Sequence, residues 1–277
     1  MPDIFYLISR WWKYVLGIIV LTSVIVGVII FLQPDQYLSV ITAVPASSFS
    51  SDKSKIFSAN IQELYSELGT EDDLDMIVGT AKLDTVYLAV TDQFNLFDHY
   101  KISEKGEAAR HKAAKLFMHH CRVMKSEYGE LKIKVWDTDK NLAPQLANAI
   151  FNNLQSIHQE LQSINSRSSL IGLQKASTII KFQIDSITAN TKNGDEGIGP
   201  QIKGLTDQLQ EYEKLISQYQ LIIDSKPPVL LVVEKARASA WPDKPKRVLI
   251  IIVTAVLSFL FALLAAMVLE RRKISKL

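Results

Sequence analysis

Two uncharged apolar segments constrain this sequence more than any other feature. Val15 to Leu32 and Val248 to Leu269 contain no Asp, Glu, Lys or Arg. As a helix rising ~1.5 Å per residue, each segment is about long enough to cross a hydrocarbon core of ~30 Å. Trp11, Trp12 and Tyr14 precede the first segment, at the headgroup level that amphipathic rings favour. The sequence therefore predicts two transmembrane helices, residues 15–32 and 248–269.

A cleaved signal peptide is the alternative interpretation of the first segment. Its apolar run exceeds the ~7–15 residues of a signal h-region, and the nearest small-residue site, around Ala43 to Ala46, lies far downstream. Arg10 and Lys13 precede the segment, and the next basic residue is Lys53. Because basic residues favour the cytoplasmic side, we expect a cytoplasmic tail at 1–14, a non-cytoplasmic domain at 33–247 and a second cytoplasmic tail at 270–277. Three basic residues on the outer flank of the second span contradict this rule: Lys244, Lys246 and Arg247.

Composition and motifs argue against several functions. A net charge of +2 over 277 residues is too small to indicate a nucleic-acid partner. Cys121 is the only cysteine, so the domain between the spans has no intrachain disulfide. Both predicted tails are too short for a cytoplasmic catalytic or signalling domain. The sequence shows no phosphate loop, nucleophile elbow or HExxH motif, so we expect no enzyme and no cofactor.

The His119-His120-Cys121 run is the strongest candidate for a metal site. We expect it to be a half-buried helix face instead, because adjacent helical residues diverge by ~100° and helical ligands usually recur at i, i+4. His111 lies too far along the chain to complete a set. The acidic run from Glu71 to Asp75 fits a helix start, where the dipole favours carboxylates. Neither group predicts catalysis.

Alternating and helical patterns of apolar residues predict the strands and helices of the region before residue 142. Tyr37 to Val44 alternates and stops at Pro45, which predicts a strand. The segment Ala81 to Phe94 fits a strand or a helix, and we favour a helix. The remaining predictions are a helix near Ile56 to Leu68, a helix over Glu104 to Tyr128 and a strand over Leu131 to Trp136.

Two long helices follow, and they predict a hairpin. Asp137 to Asn141 supplies capping residues and Pro144 suits a first turn, so a helix is expected from Leu142 to Asn190. Residues 193–200 break the chain, and a second helix runs from Gln201 to Ile223. That helix carries a coiled-coil seam, which we name the hairpin seam: Ile202, Leu205, Leu209, Tyr212, Ile216, Tyr219 and Ile223. On the first helix, Leu170, Leu173, Ile180, Ile184 and Ile187 offer a matching face, interrupted by Ser177. After Pro227 and Pro228, Val229 to Val233 predicts a strand that returns to the sheet.

Several segments together resemble the polysaccharide co-polymerases, the Wzz-type chain-length determinants of bacterial surface polysaccharides. They are the N-terminal span leading into the strand at 37–44, residues 94–102 (FNLFDHYKI), residues 131–150 (LKIKVWDTDKNLAPQLANAI) and residues 236–247 (ARASAWPDKPKR). The last segment is similar to the family's proline-rich linker. Pro242 and Pro245 match its prolines, and an earlier proline is absent. The chain has no kinase after its second span and so resembles the kinase-free branch.

The resemblance implies an α+β membrane protein: two transmembrane helices flank a periplasmic α/β base (33–141 and 227–247) with a protruding helical hairpin (about 142–224). It further implies a homo-oligomeric ring in the bacterial inner membrane. Such a ring would control the chain length of a surface polysaccharide such as O-antigen, capsule or exopolysaccharide, without catalysing bond formation. The implied partners are the lipid bilayer, an integral-membrane polymerase and the growing glycan, with no nucleic acid.

A stripe of small residues in the second span is a further candidate site. Thr254, Ser258, Ala262 and Ala266 recur every four residues, which allows close helix approach. We expect this small-residue stripe to support assembly of several copies or contact with a polymerase. The alternative is that alanine simply occurs often in an apolar helix, with no role in packing. Two other functions stay open for the chain: a polysaccharide export adaptor with a separate kinase and outer-membrane channel, and a ligand-sensing ectodomain.

Overall fold

The computed structural model describes residues 4–46, 71–190 and 198–274, with side chains described for 11–46, 74–189 and 199–269. The predicted helix near Ile56 to Leu68 lies outside the described residues, and so does most of the predicted break at 193–200. The elements of the described chain, in order, are α1 (Ile4–Leu32), β1 (Tyr37–Pro45), α2 (Glu71–Thr80), α3 (Asp84–Phe94), α4 (Leu96–His99), α5 (Glu107–His119), β2 (Cys121–Lys125), β3 (Leu131–Asp137), α6 (Leu142–Asn190), α7 (Ile198–Ser225), β4 (Leu230–Glu234) and α8 (Arg247–Ile274).

The chain divides into two compact units. The first, which we call the membrane unit, comprises Met1–Ser39, Trp136–Pro144 and Ala238–Leu277. The second, the sheet unit, comprises Val40–Val135 and Gln145–Arg237. Strands β1 and β3 each have residues in both units, because the unit boundaries fall within them.

Helices α1 and α8 of the membrane unit are both long and apolar enough to cross a bilayer, over Trp11–Leu32 and Arg247–Leu269. Only 11% and 6% of the residues in these stretches are buried. A core helix of a soluble protein would be mostly buried, so the exposure fits helices that face lipid. The two helices pack against each other. The predicted spans are thus present as helices: α1 begins 11 residues before the first predicted span, and α8 ends five residues after the second.

A four-stranded sheet has the order β2-β3-β1-β4. β2 is antiparallel to β3, and β4 is antiparallel to β1 with an irregularity between Thr42 and Ala43. In β3, Leu131, Ile133 and Val135 are buried, and the residues between them are half-buried, as the predicted alternation requires. The predicted strands 37–44, 131–136 and 229–233 all form, within one residue of their predicted limits.

The predicted helix over Glu104 to Tyr128 is wrong in its second half. Helix α5 ends at His119, and residues 121–125 form strand β2. Cys121 pairs with Val135 and Lys125 with Leu131, so a tight hairpin joins β2 to β3. Gly129 in the turn has φ 72°, a conformation that glycine adopts without steric cost. Strand pairing therefore overrides the helical spacing of Phe117, His120 and Met124.

The long helix α6 has the predicted limits, Leu142–Asn190. Asp139 caps its start, because its carbonyl accepts the N–H groups of Leu142 and Ala143 at 3.2 and 3.1 Å. Helix α7 begins at Ile198, three residues before the prediction, so Pro200 lies in its first turn, where a missing N–H costs nothing. The two helices are antiparallel neighbours: Lys181 pairs with Glu213 at 2.9 Å, and Gln159 donates to the Lys226 carbonyl at 3.0 Å.

The core of the sheet unit lies among helices α2, α3, α4 and α5, strand β3 and the first half of α6. Its largest fully buried side chains include Phe117, Leu74, Leu96, Ile133, Ile150 and Leu154. Tyr87 packs edge-on against Phe117, with ring centroids 5.7 Å apart. The fold class expected from the sequence is confirmed in its elements: an apolar helix at each end, an α/β portion and two long antiparallel helices.

Candidate functional site at the proline-rich linker

Three segments of the membrane unit meet where α1 ends and α8 begins. Gln36 follows α1 and forms an antiparallel bridge with Lys244 of the linker. The Gln36 N–H donates to the Lys244 carbonyl at 2.9 Å, and the Asp243 N–H donates to the Gln36 carbonyl at 2.9 Å. We call this group the linker junction and define it as Asp35, Gln36, Trp136, Asp243, Lys244 and Arg247. These backbone hydrogen bonds align Gln36 with the linker, and side-chain contacts add to them.

Trp136, from the end of β3, contacts the linker in two ways. Its indole Nε1–H donates to the Asp243 carboxylate at 2.8 Å. The Lys244 ammonium lies 3.7 Å from the centroid of the Trp136 ring, a cation–π contact. Trp136 is the last outward residue of the alternating strand, and the sequence pattern gave it no role. The one feature of the sequence that could have indicated a role for Trp136 is its position directly before Asp137, where the strand ends.

Arg247 joins the start of α8 to the end of α1. Its Nη2 lies 2.8 Å from Asp35 Oδ1, and its guanidinium carbon lies 5.0 Å from the Phe31 ring centroid. Both charged side chains are about one-third exposed. Lys244 and Arg247 are two of the three basic residues that contradict the expected charge bias across the membrane. Each has a specific contact in the linker junction, which gives a physical reason for a cation at that position.

The two linker prolines lie on either side of the Asp243-Lys244 pair. Pro242 is exposed and Pro245 is half-buried. The Lys244–Pro245 peptide bond is cis, and the Pro245 carbonyl accepts the Arg247 N–H at 2.8 Å. Proline fixes φ and has no N–H to donate, so the backbone hydrogen bonds of this segment come from Asp243 and Lys244. Any functional role of Pro242 and Pro245 stays a prediction.

The small-residue stripe of α8 is largely covered. Ser258, Ala262 and Ala266 are buried and Thr254 is half-buried. Ser258 Oγ and Thr22 Oγ1 of α1 lie 2.7 Å apart, within hydrogen-bond distance. Packing of α1 on α8 within one chain thus gives a reason for small residues on this face. The expected contact of the stripe with other copies or with a polymerase stays a prediction.

The hairpin seam lies along α7 at intermediate exposure. Ile223 is buried, and its other six residues are half-buried. On α6, Leu170, Ser177 and Ile180 are buried, while Leu173, Ile184 and Ile187 are half-buried. The structure also shows a connection that the sequence analysis missed: Gln155 accepts the Leu230 N–H at 3.0 Å, which fixes the start of β4 after two prolines.

The His119-His120-Cys121 run crosses an element boundary. His119 ends α5, His120 is its C-cap and Cys121 begins β2, so the expected continuous helix face is wrong. Among the described residues, no three His, Cys, Asp or Glu side chains form a group that could hold a metal ion. Burial raises the pKa of the Cys121 thiol to about 12. The thiol is therefore protonated at neutral pH and is a poor nucleophile.

The solved structures that are similar to this chain include two polysaccharide co-polymerases. One is a full-length bacterial polysaccharide co-polymerase, 12% identical, with a TM-score of 0.41; the alignment covers 100% of this chain and 98% of that one. The other is a fragment of the polysaccharide co-polymerase WzzB from Salmonella Typhimurium, 14% identical, with a TM-score of 0.28, covering 76% of this chain and 100% of the fragment. No family model and no curated protein matches the sequence. Both structures belong to the family that the sequence resembles, but TM-scores this low assign neither fold nor function.

Proposed function

We propose that this chain is a non-enzymatic regulator of surface polysaccharide chain length. The observation that carries the proposal is the linker junction. Three of the segments that resemble the co-polymerase family are distant in sequence, and in the membrane unit they meet: the exit from α1, the end of β3 and the proline-rich linker. Gln36 pairs with Lys244, and Trp136 donates to Asp243. Contacts between separate matching segments are harder to obtain by chance than any one local match.

The proposed mechanism uses the two spans as a scaffold. Copies of the chain would assemble as a ring in the bacterial inner membrane, with residues 33–247 in the periplasm, and would contact a polymerase and the growing glycan. The exposed apolar surface of α1 and α8 supports lipid or protein contact within the bilayer. The junction would hold the two spans at a fixed separation where they leave the membrane. The regulator would then act by position and assembly, without forming bonds.

A gel of surface polysaccharide from a strain that lacks this gene tests the proposal. We expect polymer synthesis to continue while the preferred chain length is lost. Plasmid-borne wild-type protein should restore that length. Complete loss of polymer would contradict length control and would support export instead. An unchanged length distribution would contradict both functions.

The substitution Ala262→Leu tests the small-residue stripe. Ala262 is 2% exposed, so the larger side chain must displace the packing of α1 on α8 as well as any contact with another copy. Leu264→Ala, at a residue that is 60% exposed on the same helix, is the matched control. If oligomer size and polysaccharide length were the same for both variants and the wild type, the stripe would have no role in assembly.

A further inference from the structure

Helix α6 carries large apolar side chains on an exposed face. We name these residues the outer stripe: Leu161, Ile164, Ile171 and Ile179. Their exposed fractions are 45%, 55%, 52% and 59%. At ~100° per residue they fall within an arc of ~80° around the helix, and at ~1.5 Å per residue they extend over ~27 Å. The outer stripe is therefore a continuous apolar surface along the middle of α6.

The outer stripe lies on the side of α6 that faces away from α7. The opposite side, where Gln159 and Lys181 contact α7, holds the buried residues Ser166, Leu170, Ser177 and Ile180. Ile164 and Ser166, two positions apart, are separated by ~200° around the helix. The same rotation separates Ile179 from Ser177. A surface helix has one apolar face and a polar face opposite it, whereas α6 has two apolar faces and α7 covers one of them.

The exposed face of α7 has the opposite character. Within residues 199–225, Leu221 is the only large apolar residue with an exposed side chain. The exposed positions of this helix include Lys203, Asp207, Glu211 and Lys214, so water solvates that face. The outer stripe is thus a particular property of α6. Apolar surface of this kind on one helix marks a contact site.

The size of the outer stripe favours a partner that is already held nearby. Its four side chains expose on the order of a few hundred Å² of apolar surface. Two such patches together stay below the ~1,200–2,000 Å² that a specific, stable interface buries. A partner from solution would therefore bind the stripe weakly. A second copy of the chain is confined to the same membrane by its two spans, which raises its effective concentration without any further contact.

The spacing of the stripe fits a helix as the partner. Ser168 and Lys175 fall on the same arc, so the positions from Leu161 to Ile179 are three, four, three, four and four residues apart. This is close to the repeat by which helices pack in coiled coils. Lys175 weakens such a contact, and polar residues at core positions of coiled coils favour one register.

We infer that the outer stripe packs against the outer stripe of α6 in a neighbouring copy of this chain. Copies anchored in one membrane are related by rotation about the membrane normal, so identical faces can meet around one axis. This inference deepens the proposed function and rests on its assembly of several copies, because it assigns one contact surface to that assembly. It does not depend on the polysaccharide.

Two adjacent serines give a matched test. Ser168 lies on the arc of the outer stripe, Ser169 lies ~100° away, and both are exposed. Cys121 is the only native cysteine, so Cys121→Ala gives a cysteine-free background in the full chain. After oxidation of membranes from the expressing cells, Ser168→Cys should give roughly fivefold more disulfide-linked dimer than Ser169→Cys, because a disulfide requires Cα atoms within ~7 Å. Circular dichroism of the purified variants confirms that each is folded.

A second substitution tests the apolar side chains themselves. Added to Ser168→Cys, the change Ile171→Gln should lower the dimer yield several-fold, because it places a polar group in the contact. Gln174→Ala, at an exposed position of α6 outside the arc, is the control and should leave the yield unchanged.

Four results would overturn the inference. The first two are equal dimer yields from Ser168→Cys and Ser169→Cys, and a yield that Ile171→Gln does not lower. The third is a cross-linked product whose mass is not twice that of the chain, which would assign the stripe to a different protein. The fourth is protection of Ser168→Cys from maleimide in dilute micelles of the monomer, which would show that the chain covers its own stripe. Cross-linking requires no polysaccharide synthesis, so it can fail while the deletion strain still loses its preferred chain length, and the reverse can also occur.

Discussion

The linker junction and the core of the sheet unit are held together by different interactions. In the junction, the polar side chains make a few specific contacts: Trp136 contacts Asp243 and Lys244, and Arg247 contacts Asp35. In the core, apolar side chains such as Phe117 and Leu154 are fully buried among one another. The stability of the core therefore depends on how completely its side chains fill space, whereas the stability of the junction depends on where individual hydrogen-bond donors and charges lie. Substitutions should therefore act differently in the two regions.

Phe117→Ala should have the largest effect. The side chain is 0% exposed and packs edge-on against Tyr87, so truncation leaves a cavity and removes an aromatic contact. We expect a loss of about 3–5 kcal/mol in unfolding free energy. Chemical unfolding of the full chain in micelles, followed by circular dichroism, measures it. Phe182→Ala, at a residue that is 72% exposed on α6, is the control and should change stability by less than about 0.5 kcal/mol. Similar losses in both variants would contradict the assignment of the core.

Trp136→Phe should loosen the junction while keeping an aromatic ring for Lys244. The substitution removes the N–H that donates to the Asp243 carboxylate, a hydrogen bond worth about 1.5–3 kcal/mol. We expect amide hydrogen exchange at residues 238–247 to accelerate by roughly tenfold or more. Trp241→Phe is the matched control, because the Trp241 side chain is 81% exposed. If both variants exchanged at the wild-type rate, the indole hydrogen bond would not hold the linker.

Two threonine-to-valine substitutions in the sheet unit should have opposite signs. Thr80 Oγ1 lies 3.1 Å from His158 Nε2, so Thr80→Val removes this contact from a buried histidine and should destabilise by about 1 kcal/mol. Thr91 Oγ1 is buried and has no hydrogen-bond partner among the described residues. Thr91→Val should therefore stabilise by up to about 1 kcal/mol. Melting temperatures of the two variants measure the difference, and a shift of the same sign in both would contradict it.

Arg247→Gln should have a modest effect that depends on salt. The pair with Asp35 is about one-third exposed, so its loss should cost about 0.5–1 kcal/mol at low ionic strength and less at high salt. Lys181→Gln breaks the more exposed pair with Glu213 and is the comparison. Melting temperatures at two salt concentrations measure both. A larger loss in Lys181→Gln would reverse the expected ranking of the two ion pairs.

The smallest expected effect is a pH dependence on the surface of the sheet unit. A hydrogen bond from Arg110 holds the pKa of Asp92 below its ordinary value. The folded state therefore favours the charged carboxylate. This stabilisation is present above the ordinary aspartate pKa of about 4 and is lost as the pH falls through the lower folded value. The melting temperature of the wild type should fall slightly more steeply below pH ~4 than that of Asp92→Asn. Superimposable pH profiles would show that the pair contributes nothing.

Local patterns predicted most of the secondary structure. The limits of α6 follow from the Asp137 to Asn141 cap and from an uninterrupted helical run, both of which act within a few residues. The alternation of β3 is equally local. Strand β2 was missed because Phe117, His120 and Met124 share a helical spacing that continues from α5. Only the pairing of β2 with β3, a contact outside any local window, separates the two alternatives.

The candidate site was predicted less completely. The two prolines and the basic flank of the second span were visible in the sequence, but the partners of Lys244 and Arg247 were not. Those partners, Trp136 and Asp35, lie more than 100 residues from the basic side chains that they contact. No periodic pattern connects positions so far apart. Two signals were visible in the sequence: the basic residues that contradicted the charge rule, and the tryptophan directly before Asp137.

The sequence by itself determined the two apolar spans, the long helix pair and the alternating strands, because hydrophobic periodicity and capping are properties of neighbouring residues. The tertiary structure alone decided that Ser258 faces Thr22, that Arg122 lies opposite Lys134 and that the linker is held by Trp136. These contacts depend on how distant segments align in space. The sequence predicted the two spans, and the structure shows that the linker junction connects the end of α1 to the start of α8.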